Sequence, residues 1–182
     1  MTILVPHPST AAAPVRAIGA TARREAADML HLTFRLDGYL AGIRVPPPVA
    51  PRFVVGLWNH TCFEAFIATA GDTAYCEFNL SPSGEWAAFA FTDYREIGIL
   101  DPEPSPPRIR VESTPDSLTL HASVALGELS SAHLAAPLLV GLSAVIETVD
   151  GALSYWSLAH PAGQPDFHHR ETRTLRVPAP PR

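Results

Sequence analysis

An antiparallel β-sandwich is the fold the sequence predicts, and three observations carry it. Leu30, Leu32, Phe34 and Leu36 alternate with Met29, His31, Thr33 and Arg35, and Leu118, Leu120, Ala122 and Val124 make a second stripe of period two. Turn signals recur at short intervals: Asp37-Gly38, Gly71-Asp72, Pro82-Ser83, Thr114-Pro115-Asp116 and Asp150-Gly151. Helical patterning is confined to LGELSSAHLAAP, which Pro137 terminates. Roughly seven to ten strands with little helix define an all-β sandwich.

Taken in order, residues 1–14 are rich in Pro, Ala and Ser and are expected to fray, as are 177–182. Strands are expected over 15–22 and 28–36. The run PPPVAP at 46–51 lacks the donors of a central strand and reads as a connection. Residues 57–95 hold three apolar and aromatic runs separated by two turns, a β-meander. A proline-rich loop follows Arg95, then a hairpin of 108–113 with 117–126. Another pairs 138–149 with 152–160 and brings Ile146 or Glu147 opposite Tyr155.

With 182 residues the chain fits a single domain spanning 1–182. A hydrophobic share of 47% against 17% charged residues excludes disorder, and no apolar run is long enough to cross a bilayer. Net charge is −5, and all 13 basic residues are Arg without a basic stripe, so neither nucleic acid nor a membrane is an expected partner. The first residues lack a basic stretch followed by a long apolar one, from which a cytoplasmic protein is expected. No signal points to a protein partner.

The meander carries the functional reading. Centring its first turn on Gly71-Asp72 sets Glu64 opposite Asn79 and Phe66 opposite Glu77. Centring the second on Pro82-Ser83 sets Asn79 opposite Trp86 and Glu77 opposite Ala88. One face then collects Phe63, Ala65, Ile67, Cys76, Phe78, Leu80, Ala87, Phe89 and Phe91, a core face. The other collects Trp58, His60, Cys62, Glu64, Phe66, Glu77, Asn79, Trp86, Ala88 and Ala90. Cys62 and Cys76 fall on opposite faces and are expected to be reduced. Indoles beside hydrogen-bonding groups suit a flat amphipathic ligand such as a sugar ring. Trp58 and Trp86 would stack on it, Glu64, Glu77 and Asn79 would bind hydroxyls, and His60 would sit at the rim. Arg95, which can pair with the carboxylates, Trp156 and His168 complete the candidate ligand-binding set.

LWNHTCFEAF, YCEFNLSPSGEWAAF and SYWSLAHPAGQPDFHH, in that order, resemble the bacterial DOMON-like domains related to family-nine carbohydrate-binding modules. The resemblance runs from Val55 to His169 and implies a β-sandwich that binds sugar or haem. The last block is a recurring element of that family, with Trp156 and His160 on one face of the last hairpin closing one end of the groove.

Two further chemistries stay open. Glu64 and Glu77 are diagonal neighbours, about 7 Å apart by strand geometry, a spacing suited to glycosidase acids. His60, Asp166, His168 and His169 could be drawn as a metal site, and His60, His160, His168 or His169 as a haem ligand. No Cys-x-x-Cys, His-Glu-x-x-His or calcium-loop spacing accompanies them, and no Gly-x-Ser-x-Gly elbow marks a nucleophile. The expectation is therefore a non-catalytic binding protein for a carbohydrate or carbohydrate-like small molecule, without a cofactor. A glycan-processing enzyme using Glu64 and Glu77, or a haem or metal binder, is the alternative.

Overall fold

The alternating runs become strands whose apolar sides meet in one interior, in a computed structural model that describes residues 1–10, 14–26, 28–101 and 104–180. In chain order these are β1 (Thr2–Ile3), β2 (Val5–Pro6), β3 (Val15–Ala26), β4 (Met29–Gly38), β5 (Cys62–Thr69), β6 (Tyr75–Leu80), β7 (Trp86–Asp93), β8 (Glu96–Ile97), β9 (Arg108–Thr114), β10 (Ser117–Ala125), β11 (Leu138–Glu147), β12 (Leu153–Ser157) and β13 (Leu175–Val177). One sheet has the order β1-β3-β4-β10-β9. The other runs β2-β12-β11-β5-β6-β7-β8, with β13 paired to β11 as well. Every pairing between these strands is antiparallel.

The period-two stripes face inward as expected. Leu120 lies opposite Phe34 and Leu118 opposite Leu36, all four buried. Phe34 meets Phe63 of the other sheet at 5.1 Å between ring centroids, so the two sheets share one core. Each such side chain contributes about 1.5–3 kcal/mol by leaving water. Among the described residues helix is limited to short pieces, including a 3-10 turn at Leu126–Glu128 and a single α turn at Ala132–Ala135 that ends before Pro137.

Three expectations need correction. The amino-terminal segment does not simply fray: β1 joins the first sheet, β2 joins the second, and buried Leu4 between them bonds Ile18 through its backbone. Positions 11–13 and 181–182 of the segments expected to fray lie outside the described residues. The last hairpin is one residue out, since Val145 rather than Ile146 or Glu147 lies opposite Tyr155.

The third correction moves side chains between faces. The β5–β6 register is as expected, with Glu64 opposite Asn79 and Phe66 opposite Glu77. In β6–β7, however, Leu80 pairs with Trp86 and Glu77 with Phe89. Ser81 N–H donates to Glu85 C=O at 2.9 Å and Gly84 takes φ 93°, so three residues, not two, make the loop. That extra residue reverses the facing of all of β7. Trp86 and Ala88 enter the inter-sheet core, whereas Phe89 and Phe91 turn outward beside Glu77.

Truncating Trp86 should therefore damage folding rather than binding. Trp86→Ala is expected to lower unfolding free energy by about 3–5 kcal/mol in urea denaturation. Cys62 and Cys76 are unpaired and buried on opposite faces, and burial pushes the Cys76 thiol up to about 11. Both should label with a thiol reagent in denaturant without reductant, and slowly in the native protein.

Candidate ligand-binding site

The outer face of the second sheet is also apolar. Phe66, Ala68, Tyr75, Phe91, Val145 and Phe167 form a second buried cluster there, separate from the core. Residues 158–174 cross this face, braced by their own side chains and resting on the sheet through Arg173. Thr172 Oγ1 donates to Phe167 C=O at 2.8 Å, and Arg173 Nη1 to His168 C=O at 3.0 Å, with its guanidinium 4.6 Å above the Tyr75 ring. Gly141 permits the approach, because a Cβ there would stand 3.2 Å from Thr172 Oγ1 and 3.3 Å from Arg173 Cγ.

The covering segment leaves a cavity of about 410 Å³. Its floor is β5, β6, β7, β11 and β12, presenting Glu64, Glu77, Phe89, Phe91, Val145, Leu153 and Tyr155. Trp58 and Asn59 reach it from a 3-10 turn at Leu57–Asn59 that Gly56 opens at φ 90°. Arg95 comes from the β7–β8 turn, Ile97 from β8, and Pro165, Phe167 and His168 from the crossing segment. These last two walls are tied by Asp166. It accepts from Arg95 Nη2 at 2.9 Å, Tyr94 Oη at 2.7 Å and His168 N–H at 3.1 Å.

Glu64 and Glu77 are only 3% and 5% exposed, on a floor that is otherwise largely aromatic and aliphatic. Burial pushes Glu64 well above the usual carboxylate range, and the Glu77 charge adds to this, while Ser143 beside it pulls the other way. Burial also raises Glu77, to about 6, against the opposing effects of the Asn79 hydrogen bond and the Arg95 charge. Asn79 Nδ2 donates to Glu77 Oε1 at 2.6 Å. Glu64 Oε1 and Ser143 Oγ are buried without a hydrogen-bond partner.

His168 closes the constellation as a neutral ring, since burial lowers it to about 4 and the Arg95 charge adds to the effect. Arg95 N–H donates to Tyr75 Oη at 3.2 Å, leaving the tyrosine proton to reach His168 Nδ1 at 2.9 Å. In the tautomer whose Nδ1 accepts this bond the ring proton is on Nε2, 3.7 Å from Glu77 Oε2.

Of the nine candidates, Trp58, Glu64, Glu77, Arg95 and His168 line the cavity, and Asn79 lies beneath it against Glu77. Trp86 and Trp156 do not: both are in the inter-sheet core, and Trp156 Nε1 donates to Ser154 Oγ at 3.0 Å. His60 is outside the lining and binds Glu147 through Nδ1 at 2.8 Å, alongside Arg44. Phe89 and Phe91 were missed through the loop parity, and Tyr155, Pro165 and Phe167 because their placement is tertiary. The other histidines drawn as haem ligands have neighbours of their own, His160 at Val5 C=O and His169 at Glu171 N–H. Among the described residues, no cluster of three or more His, Cys, Asp or Glu is arranged to hold a metal, and no helix is long and apolar enough to cross a membrane.

Solved structures with this architecture include a family-nine carbohydrate-binding module from Caldicellulosiruptor kristjanssonii in complex with cellotriose. It matches at TM-score 0.63 and 10% identity over 100% of this chain and 82% of its own. A family-nine module from the same organism in complex with glucose matches at 0.60 and 7%, over 98% and 85%. A Bacteroides uniformis protein solved as a candidate carbohydrate-binding protein matches at 0.60 and 12%, over 97% and 86%. The chain thus has the β-sandwich fold of family-nine carbohydrate-binding modules. In sequence, neither a family model nor a curated protein matches it.

The buried carboxyls set a pH dependence. Glu77 in the folded state lies above its ordinary value of 4.5, so the stability it contributes is present below 4.5 and lost as pH rises through about 6. Glu77→Gln should therefore gain on wild type over that window, by on the order of 2 kcal/mol at neutral pH, as read from urea midpoints at several pH values. His168, lowered to about 4, acts oppositely, and its contribution is lost as pH falls. Being common to both proteins, it largely cancels in the difference.

Proposed function

We propose that the chain is a non-catalytic binding domain whose ligand is a carbohydrate or carbohydrate-like small molecule held in the cavity beside Trp58. The observation that carries this is the pairing, in one cavity, of the 39% exposed Trp58 indole with two buried carboxyls. Trp58 packs edge-on against Phe89 at 5.9 Å, which braces the indole while leaving part of it to solvent. A pyranose has an apolar face for such a ring and hydroxyls for such a floor. The neighbours of this fold that are named with cellotriose and glucose support the same reading. No cofactor is required by it, and two unpaired cysteines suit a reducing, cytoplasmic setting.

One observation favours a second reading. Glu64 and Glu77 share a cavity and both hold protons above the ordinary carboxylate range, which is how paired acids divide acid and base roles in glycoside hydrolysis. Glu64→Gln separates the two, because an amide keeps shape and hydrogen bonding but loses proton transfer.

Trp58 is the one indole of the three at the cavity. A bound saccharide should therefore change intrinsic fluorescence, and Trp58→Ala should weaken binding by about 1–3 kcal/mol without shifting the urea midpoint. No turnover is expected from wild type or Glu64→Gln against a panel of soluble glycans. Hydrolysis abolished by that substitution would establish the second reading instead.

A further inference from the structure

We infer that the ligand carries a protonated amine, and that an amino sugar with a free ammonium group, rather than a neutral sugar, is the class this cavity takes. The inference rests on the carbohydrate reading and adds the charge of the ligand to it. Glu64 is only 3% exposed and lines the cavity, and although Ser143 lies directly across from it on β11, Glu64 Oε1 and Ser143 Oγ are both buried without a hydrogen-bond partner. A carboxyl so placed needs a donor, and a cation serves it better than a hydroxyl because charge-assisted bonds are roughly twice as strong.

The groups already present leave that need unmet. Glu64 and Glu77 are faced by Cys62, Tyr75 and Ser143 of the same sheet and by Arg95 and His168 of the walls. Among the described residues Arg95 is the one permanent cation lining the cavity; its charge acts on Glu77 but is not among the effects on Glu64, and its Nη2 is committed to Asp166. His168 is neutral, and the thiol and phenol supply no positive charge. Around the carboxyls stand Trp58, Phe89, Phe91, Tyr155 and Phe167. Aromatic rings beside carboxylates are the chemistry that holds ammonium groups, through ring quadrupoles and direct ion pairing together. A neutral pyranose would use the indole and offer its hydroxyls to the acids, but it would bring no charge to them.

Binding an ammonium would hold both carboxyls ionised, so the complex forms with release of the protons they held. Affinity for the cation should then rise as pH increases through about 6, where Glu77 titrates, and fall again when the amine itself deprotonates.

The probes are glucosamine, glucose and N-acetylglucosamine, which share one ring and differ in the substituent at one position, charged only in glucosamine. They are titrated near neutral pH against Trp58 fluorescence and by calorimetry in two buffers of different ionisation enthalpy. Glucosamine is expected to bind at least tenfold more tightly than either neutral sugar, with proton release. Glu64→Gln should remove most of that preference without lowering the urea midpoint, since by the linkage argued for Glu77 the amide relieves a buried acid. Should the variant not fold, the wild-type profile decides, since the preference must shrink below about pH 6. Equal or tighter binding of glucose or N-acetylglucosamine, or a preference indifferent to pH, overturns the amine inference and leaves the sugar reading standing. No response to any of the three overturns both.

Discussion

A sheet that is apolar on both faces has to be covered twice, and this constraint shapes the molecule. The inner face of the second sheet packs on the first, with Phe63 against Phe34 at the junction. The outer face, carrying Phe66, Tyr75, Phe91 and Val145, cannot be left to water without forfeiting about 25 cal/mol for each Å² of apolar surface. Residues 158–174 supply the cover, with Thr172 and Arg173 packed over the side-chain-free Gly141 and the Arg173 guanidinium on the Tyr75 ring. The cover is incomplete where Trp58 and Arg95 approach, and what remains open is the cavity. Site and stability are therefore two results of one packing problem.

How much of this is legible in the sequence depends on how local each determinant is. The stripes of β4 and β10 are legible because period-two alternation records burial directly, residue by residue. The Glu64–Asn79 register is legible because one turn separates two well-patterned strands. The next register is not, because SPSG serves a two-residue or a three-residue loop equally well on paper. Ser83 Oγ decides it by bonding both Ser81 Oγ and Glu85 Oε2, which consolidates the longer loop. Since both resulting faces of β7 are apolar, alternation offers no check on the error. Trp86 consequently reads as a groove residue when it is core, and Phe89 reads the other way.

The far walls were beyond local reasoning for a different reason. Phe167 and Pro165 lie in an irregular segment whose position is set by Thr172, Arg173 and Asp166, contacts spanning up to 72 residues of sequence for the Tyr94–Asp166 bond. Nothing in the periodicity of such a segment records which sheet face it will cover. Trp156 shows the converse: its hairpin was visible, but a one-residue uncertainty in register left its facing open, and its indole found a partner in Ser154 within the core.

The two acids then acquire a meaning that composition alone does not give. A sheet face built only for cover would place alanine or valine where Glu64 and Glu77 stand, as β11 does with Val145 across the same surface. Burying a carboxyl with an oxygen unbonded is unfavourable to folding, and the penalty grows at the pH where the group would otherwise ionise. Such a group persists when another state of the protein relieves it, and under the proposed function that state is the one with the cavity filled. A ligand that satisfied Glu64 and Glu77 would stabilise the fold by the same interaction that bound it, so the proposed recognition would be linked to stability through these two side chains.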